Sequence, residues 1–299
     1  MYDKTDPRAN LAKEKSKTEV SHDIAPAKVV KCYEDAPIMT PKGSRIWWSR
    51  GQNFYLEYSE TVDGEVFERR EQVDEYVIFL PDHNSSAIIQ WGNEKVEVEG
   101  YSLAVVPKGS SDLKITSGGR LIRLFSSQNI DLEDLPINKK DYQESDLNVA
   151  SFTPWPESPE GSKVRVYSLD VPKEEGRFGR IFRCSTFMVN FLDPFEGPRD
   201  PSKLSPHSHA DFEQCSLILQ GEFIHHFRWP WTSDKRKWRE DSHEVYGSPS
   251  VTVIPPGVIH TSQAVGTGTN ILVDIFCPPR MDFSKQAGWV LNENDYPID

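Results

Sequence analysis

No stretch of this sequence sustains an apolar period of 3.6 residues, so a helical bundle is excluded from the outset. What recurs instead is a short run rich in Val, Ile, Phe and Tyr, closed by turn residues. Such runs occupy 53–58, 75–80, 87–91, 95–99, 102–106 and 120–125, and then 164–169, 180–191, 214–219, 222–229, 251–254 and 271–276. Many short strands at this spacing build a sandwich or a barrel.

The runs fall into two sets, and the sets repeat. Gly100, a strand and Pro107-Lys108-Gly109-Ser110-Ser111-Asp112 in the first have a counterpart in the second. There Gly247 and a strand precede Pro255-Pro256-Gly257-Val258-Ile259-His260, close to half a chain length further on. A strand-turn-strand unit repeated at that distance predicts duplication of one β domain. The expected organisation is an arm over 1–40, a first β domain over 41–128, a connection over 129–161 and a second β domain with a tail over 162–299. The arm is polar and broken by Pro7, Pro26 and Pro37, and it either stays loose or docks on its own body or on a second subunit. The connection is rich in Asp, Glu, Pro and Lys and has room for one short helix.

Charge excludes two classes of partner. With 34 basic against 46 acidic residues the chain carries a net charge of −12 and no basic stripe, which argues against nucleic acid and anionic membranes. Cys32, Cys184, Cys215 and Cys277 form no C-x-x-C pair and read as buried, reduced thiols. No signal-type apolar stretch stands near the N-terminus and no run is long enough to span a bilayer, so the expectation is a cytoplasmic protein.

Six of the eight histidines lie between 207 and 260. In Pro206-His207-Ser208-His209-Ala210-Asp211-Phe212-Glu213 the two histidines are two apart. On a strand they share a face, about 6.5–7 Å from each other along it. Both imidazoles can then approach one ion at about 2.0–2.2 Å. Glu213 joins them only if the chain turns over 210–212, and His260 is held at a strand start by its Pro-Pro-Gly turn.

The stretch His207-x-His209-x3-Glu213 with Gly221 resembles the first cupin motif, and Gly247 with Pro255-x-Gly257-x2-His260 resembles the second. The family pattern is G-x5-H-x-H-x3/4-E-x6-G followed by G-x5-P-x-G-x2-H-x3-N. The resemblance implies an all-β chain of two cupin barrels (jelly-roll, or double-stranded β-helix). It also implies one divalent transition metal (Fe, Mn, Co, Ni, Zn or Cu) held by His207, His209, Glu213 and His260 in the second barrel. Three departures accompany it: the leading Gly of the first motif is out of register, Gly221 comes one residue late, and Ala264 replaces the terminal Asn. In the first half, aligning Glu75 with Glu213 places Arg69, Glu71 and Asp112 at the other ligand positions. These do not make an imidazole-type site, so the first barrel is expected to bind no transition metal.

A His3Glu site leaves neighbouring positions open on a six-coordinate ion, and bicupin relatives use them for oxidative cleavage. The reading ranked first is therefore a dioxygenase acting on a small oxygen-chelating molecule, with Glu213 leaving the metal to act as base. The alternatives are a non-catalytic metal- or ligand-binding cupin and a metal-dependent isomerase or decarboxylase of a sugar or organic acid. Arg180 and Arg183 are candidates to bind a substrate carboxylate, with solvent exposure the commoner fate. Of the adjacent His225 and His226, at most one faces the pocket, and His243 belongs to a charged surface loop. Trp229 and Trp231 form an aromatic rim or pack on a hairpin, and the Pro-rich loop 192–205 is a candidate lid. Sheet edges and the arm predict a homodimer.

Overall fold

A computed structural model describes residues 6–8 and 23–298. Two strands show how the sequence sets the architecture: Tyr76–Leu80 and Gln214–Gln220 are buried along almost their whole length. A strand covered on both faces leaves neither side to water. Here one face looks into a barrel and the other packs against the opposite half.

In the first half a seven-stranded sheet runs in the order Arg165–Ser168, Ser102–Val106, Tyr76–Leu80, Gly119–Ser126, Phe54–Thr61, Arg45–Arg50, Ile38–Met39. A four-stranded sheet of Val66–Gln72, Gly109–Ser117, Ser86–Trp91 and Glu94–Glu99 faces it. In the second half the large sheet runs Lys28–Lys31, Ser250–Ile254, Gln214–Gln220, Thr269–Phe276, Met188–Phe191, Arg180–Arg183. Its partner is the three-stranded sheet Ser242–Tyr246, Phe223–Arg228, Ile259–Ala264. The fold is all-β, two cupin barrels in one chain. No helix among the described residues is long and apolar enough to cross a membrane.

The halves exchange strands. Lys28–Lys31, which precedes the first barrel, pairs with Ser250–Ile254 of the second. Arg165–Ser168, which precedes the second, pairs with Ser102–Val106 of the first. Arg165–Ser168 lies within the stretch 162–299 expected to form the second domain, and it completes the first barrel's sheet at an open edge. The arm likewise docks on the body at 28–31. Over 129–161 the regular structure is limited to two 3-10 turns, Ile130–Leu132 and Lys139–Tyr142.

The largest core lies between the barrels, where Val77, Phe79, Val105 and Leu124 of the first sheet meet Leu217, Val253, Val273 and Ile275 of the second. The first barrel's interior is filled by Tyr55, Tyr76, Ile78, Leu121 and Phe125, with a buried Arg123–Glu57 ion pair among them. Arg69, at the position aligned with His207, donates to Asp131 at 2.7 Å, and Asp112 accepts from Arg70 at 2.6 Å. Both side chains are occupied in separate contacts.

All four cysteines are buried and free. Burial pushes the Cys32 and Cys184 thiols up to about 12, and those of Cys215 and Cys277 well above their ordinary value.

Candidate metal centre

Reciprocal backbone hydrogen bonds pair His207 with His260: His207 N–H donates to His260 O at 3.0 Å, and His260 N–H to His207 O at 2.7 Å. Directly paired antiparallel residues share a face, so the two rings lie 4.4 Å apart between centroids. The Pro-Pro-Gly turn reaches back to the third histidine, with Gly257 N–H donating to His209 O at 2.8 Å. Gly257 has φ +83°, a conformation that glycine adopts without strain. The ligand atoms of His207, His209 and His260 all lie within 4.8 Å of one another.

Their chemistry is set for a cation. His207 Nδ1 lies 2.9 Å from Ser205 O, and His260 Nδ1 lies 3.0 Å from Val258 O. A carbonyl oxygen can only accept, so each of these nitrogens carries the proton toward it, which leaves the Nε2 lone pairs of His207 and His260 for a metal. Burial, followed by the neighbouring positive charges, lowers the imidazoles: His260 to about 4, and His207 and His209 well below their ordinary value. Neutral imidazoles are the form that binds metal. The triad can hold one divalent ion.

Glu213 stands apart from the triad. Its carboxylate faces the first barrel, where it accepts from the Gln52 backbone N–H at 2.6 Å and from the Tyr142 hydroxyl at 3.2 Å. Strand alternation is the cause. Glu213 has the parity of Cys215 and Leu217, which pack between the barrels, while Gln214 has the parity of Ser216 and Ile218, which face inward. Glu75 behaves in the same way in the first barrel, accepting from Ser185 N–H at 3.0 Å and the Tyr296 hydroxyl at 2.8 Å. These two carboxylates form a matched pair of latches between the halves.

The side chain that does reach the triad is Gln214. Its Oε1 lies 2.8 Å from His209 Nε2 and 3.3 Å from His260 Nε2. The motif reading with x3 spacing points to Glu213, but the sequence also carries the signal for Gln214. With the x4 spacing Gln214 takes the Glu position, and Gly221 then falls in register without the one-residue lag. Gly221 turns the chain at φ +83°, and a Cβ there would meet Asn270 Oδ1 at 2.3 Å.

Beneath the triad the barrel interior is polar. Thr252, Ser216, Asp274 and Asn190 lie in cross-strand register, and His225 faces inward from the opposite sheet with its Nδ1 at 2.8 Å from Ser262 Oγ. Thr252 Oγ1, His225 Nε2 and both amide atoms of Asn190 are buried without a hydrogen-bond partner. A layer of Ile218, Leu272, Phe223, Ala264 and Tyr246 closes the barrel below.

Two arginines lie near the triad, each paired with a carboxylate: Arg8 with Asp6 at 2.8 Å and Arg280 with Asp282 at 2.5 Å. The Arg280 guanidinium lies 3.7 Å from the Phe283 ring centroid, and Arg8 lies 4.0 Å from that of Phe178. Both are felt at His207, His260 and Asp274. The arginines singled out from sequence serve elsewhere, buried rather than exposed. Arg180 bonds Leu169 O at 2.8 Å, and Arg183 bonds Tyr296 O and lies over the Trp155 ring. His226 points outward to His243, 2.8 Å away. Trp229 is buried, donating to Ala25 O at 3.0 Å, whereas Trp231 is exposed and stacks on Trp238.

No family model matches the sequence, and no curated protein matches it. Solved structures do resemble it. The Lactobacillus farciminis oxalate decarboxylase, in its formate complex, superposes with a TM-score of 0.58 at 14% identity, over 87% of this chain and 88% of that one. A Bacillus subtilis oxalate decarboxylase gives 0.57 at 13%, over 88% and 80%. Another structure of that enzyme, concerned with its Mn(II) centres, gives 0.56 at 13%, over 88% and 80%. At such identities the likeness concerns the fold, and it agrees with two cupin barrels. The neighbours are named decarboxylases, a class that the sequence reading placed behind dioxygenases.

Proposed function

We propose that the second barrel is a divalent-metal centre that acts on a small organic acid, with decarboxylation as the reaction. The supporting observation is the convergence of three neutral, buried imidazoles, with Gln214 Oε1 beside them, at the mouth of a polar barrel interior. Arg8 and Arg280 are each paired with a neighbouring carboxylate, Asp6 at 2.8 Å and Asp282 at 2.5 Å, so the attraction for a substrate carboxylate rests on the ion to which the triad presents its lone pairs. When bound, the ion supplies Lewis-acid polarisation of a carboxylate or carbonyl oxygen. Phe212, Phe276 and Phe283 surround the Arg280 guanidinium, whose charge is met by Asp282. The decarboxylase names of the structural neighbours favour this reaction over oxygenation at the same centre.

The test is carbon dioxide release by Mn(II)-loaded protein from oxalate and a panel of short hydroxy and oxo acids, with and without dioxygen. Turnover that His207→Ala abolishes is the expected result. Absence of carbon dioxide, with dioxygen consumed on enolic substrates, would return the protein to the oxygenase reading.

A further inference from the structure

We propose that Gln214 is the fourth metal ligand in place of Glu213, and that Asp274 with Ser216 is the positioning pair that turns its amide oxygen toward the triad. This deepens the proposed metal centre and rests on it.

An amide has two ends of similar shape, and only one can bind a cation. Gln214 is 3% exposed, so solvent does not choose between them. The choice is made behind it. Gln214 Nε2 donates to Asp274 Oδ1 at 3.0 Å and to Ser216 Oγ at 3.1 Å, and Ser216 Oγ itself donates to the same Asp274 oxygen at 2.9 Å. Asp274 Oδ1 already accepts from Ser216, so the Ser216 proton is committed and both contacts present acceptor oxygens to Gln214. Reversing the Gln214 amide would set oxygen against oxygen at both contacts. The orientation in which Oε1 faces His209 and His260 is therefore the one the buried carboxylate enforces.

The donor set that results, three imidazoles and an amide oxygen, is neutral. The ion's charge is not cancelled by any directly bound carboxylate, and Asp274 stands one side chain further back. Such a centre takes an anionic substrate more readily than a His3Glu set does, because one negative ligand fewer repels it. Glu213, held by Gln52 and Tyr142 on the far side of the strand, has no part in it.

The experiment is titration of apo protein with Mn(II), followed by calorimetry, together with the visible spectrum of the Co(II) form. Gln214→Leu should weaken Mn(II) binding at least tenfold and change the Co(II) bands, while Glu213→Gln leaves both as in the wild type. Asp274→Asn should also weaken binding about tenfold, since an amide at 274 can donate as well as accept and lets Gln214 reverse. Adding Gln214→Glu to Asp274→Asn should restore it, because a carboxylate at 214 has no wrong way round. Rescue of that kind does not follow from a merely structural role, and it keeps the test intact if Gln214→Leu fails to fold. Unchanged binding in Gln214→Leu, loss of metal in Glu213→Gln, or no rescue in the double variant would each overturn the proposal. If wild-type protein binds no metal at all, the parent reading fails instead.

Discussion

Glu75 and Glu213 occupy matching positions in the two barrels and serve the same purpose. Each gives one oxygen to a backbone N–H of a hairpin in the opposite barrel and the other to a tyrosine hydroxyl. Burial raises the Glu213 carboxyl, against the Gln52 N–H and the nearby Lys28 charge. Removing such a buried acceptor strands its donors, at about 1–3 kcal/mol. Glu75→Ala and Glu213→Ala should each lower stability to urea by that order with metal content unchanged. A different outcome is expected at Thr252, whose buried hydroxyl has no partner. Thr252→Val keeps the shape and removes an unsatisfied group, so it should be neutral or stabilising by about 1 kcal/mol in thermal melts. At this scale the three histidines were legible, because H-x-H and the Pro-Pro-Gly turn fix short-range geometry. The fourth donor was not, because one residue of spacing decides which face of a strand a side chain takes. Only Gly221, seven residues beyond Gln214, carried that information.

Among the elements, the exchanged strands are what alternation could not reveal. The runs at 28–31 and 164–169 read as strands or arm from their residues, but nothing local names the partner of an edge. Each lies against the equivalent strand of the opposite barrel, Ser250–Ile254 in one case and Ser102–Val106 in the other. Without Lys28–Lys31 the Ser250–Ile254 strand would present an open edge beside Val251 and Val253, which pack between the barrels. Deletion of residues 1–36 should lower the melting temperature and cause association visible by gel filtration. A truncated protein that melts like the full chain and stays the same size would show that the strand adds nothing.

In the whole molecule the barrels differ in what fills them. Equivalent inward positions hold Tyr76, Ile78, Ala104 and a Glu57–Arg123 pair in the first, and Gln214, Ser216, Thr252, Asn190 and Asp274 in the second. The first is a packed core and the second a polar chamber capped by the triad. The interface between them is apolar and continuous, so the halves should unfold together. Leu217→Ala, at the centre of that interface, should cost about 2–5 kcal/mol and shift one transition followed alike by tryptophan fluorescence and metal release. Two separated transitions would mean that the barrels are independent. The two barrels were legible from the repeated Pro-x-Gly turns. The shared core was not, since an inward and an outward Val look the same in sequence.

The central claim is that His207, His209 and His260 hold a divalent metal. Its most direct test is metal analysis by mass spectrometry of protein purified without an affinity tag, beside His260→Ala and Glu213→Gln. The account predicts close to one equivalent of a divalent transition metal in the wild type and in Glu213→Gln, and none in His260→Ala. A wild type free of metal that takes up none on addition of Mn(II), or equal metal in all three proteins, would contradict it.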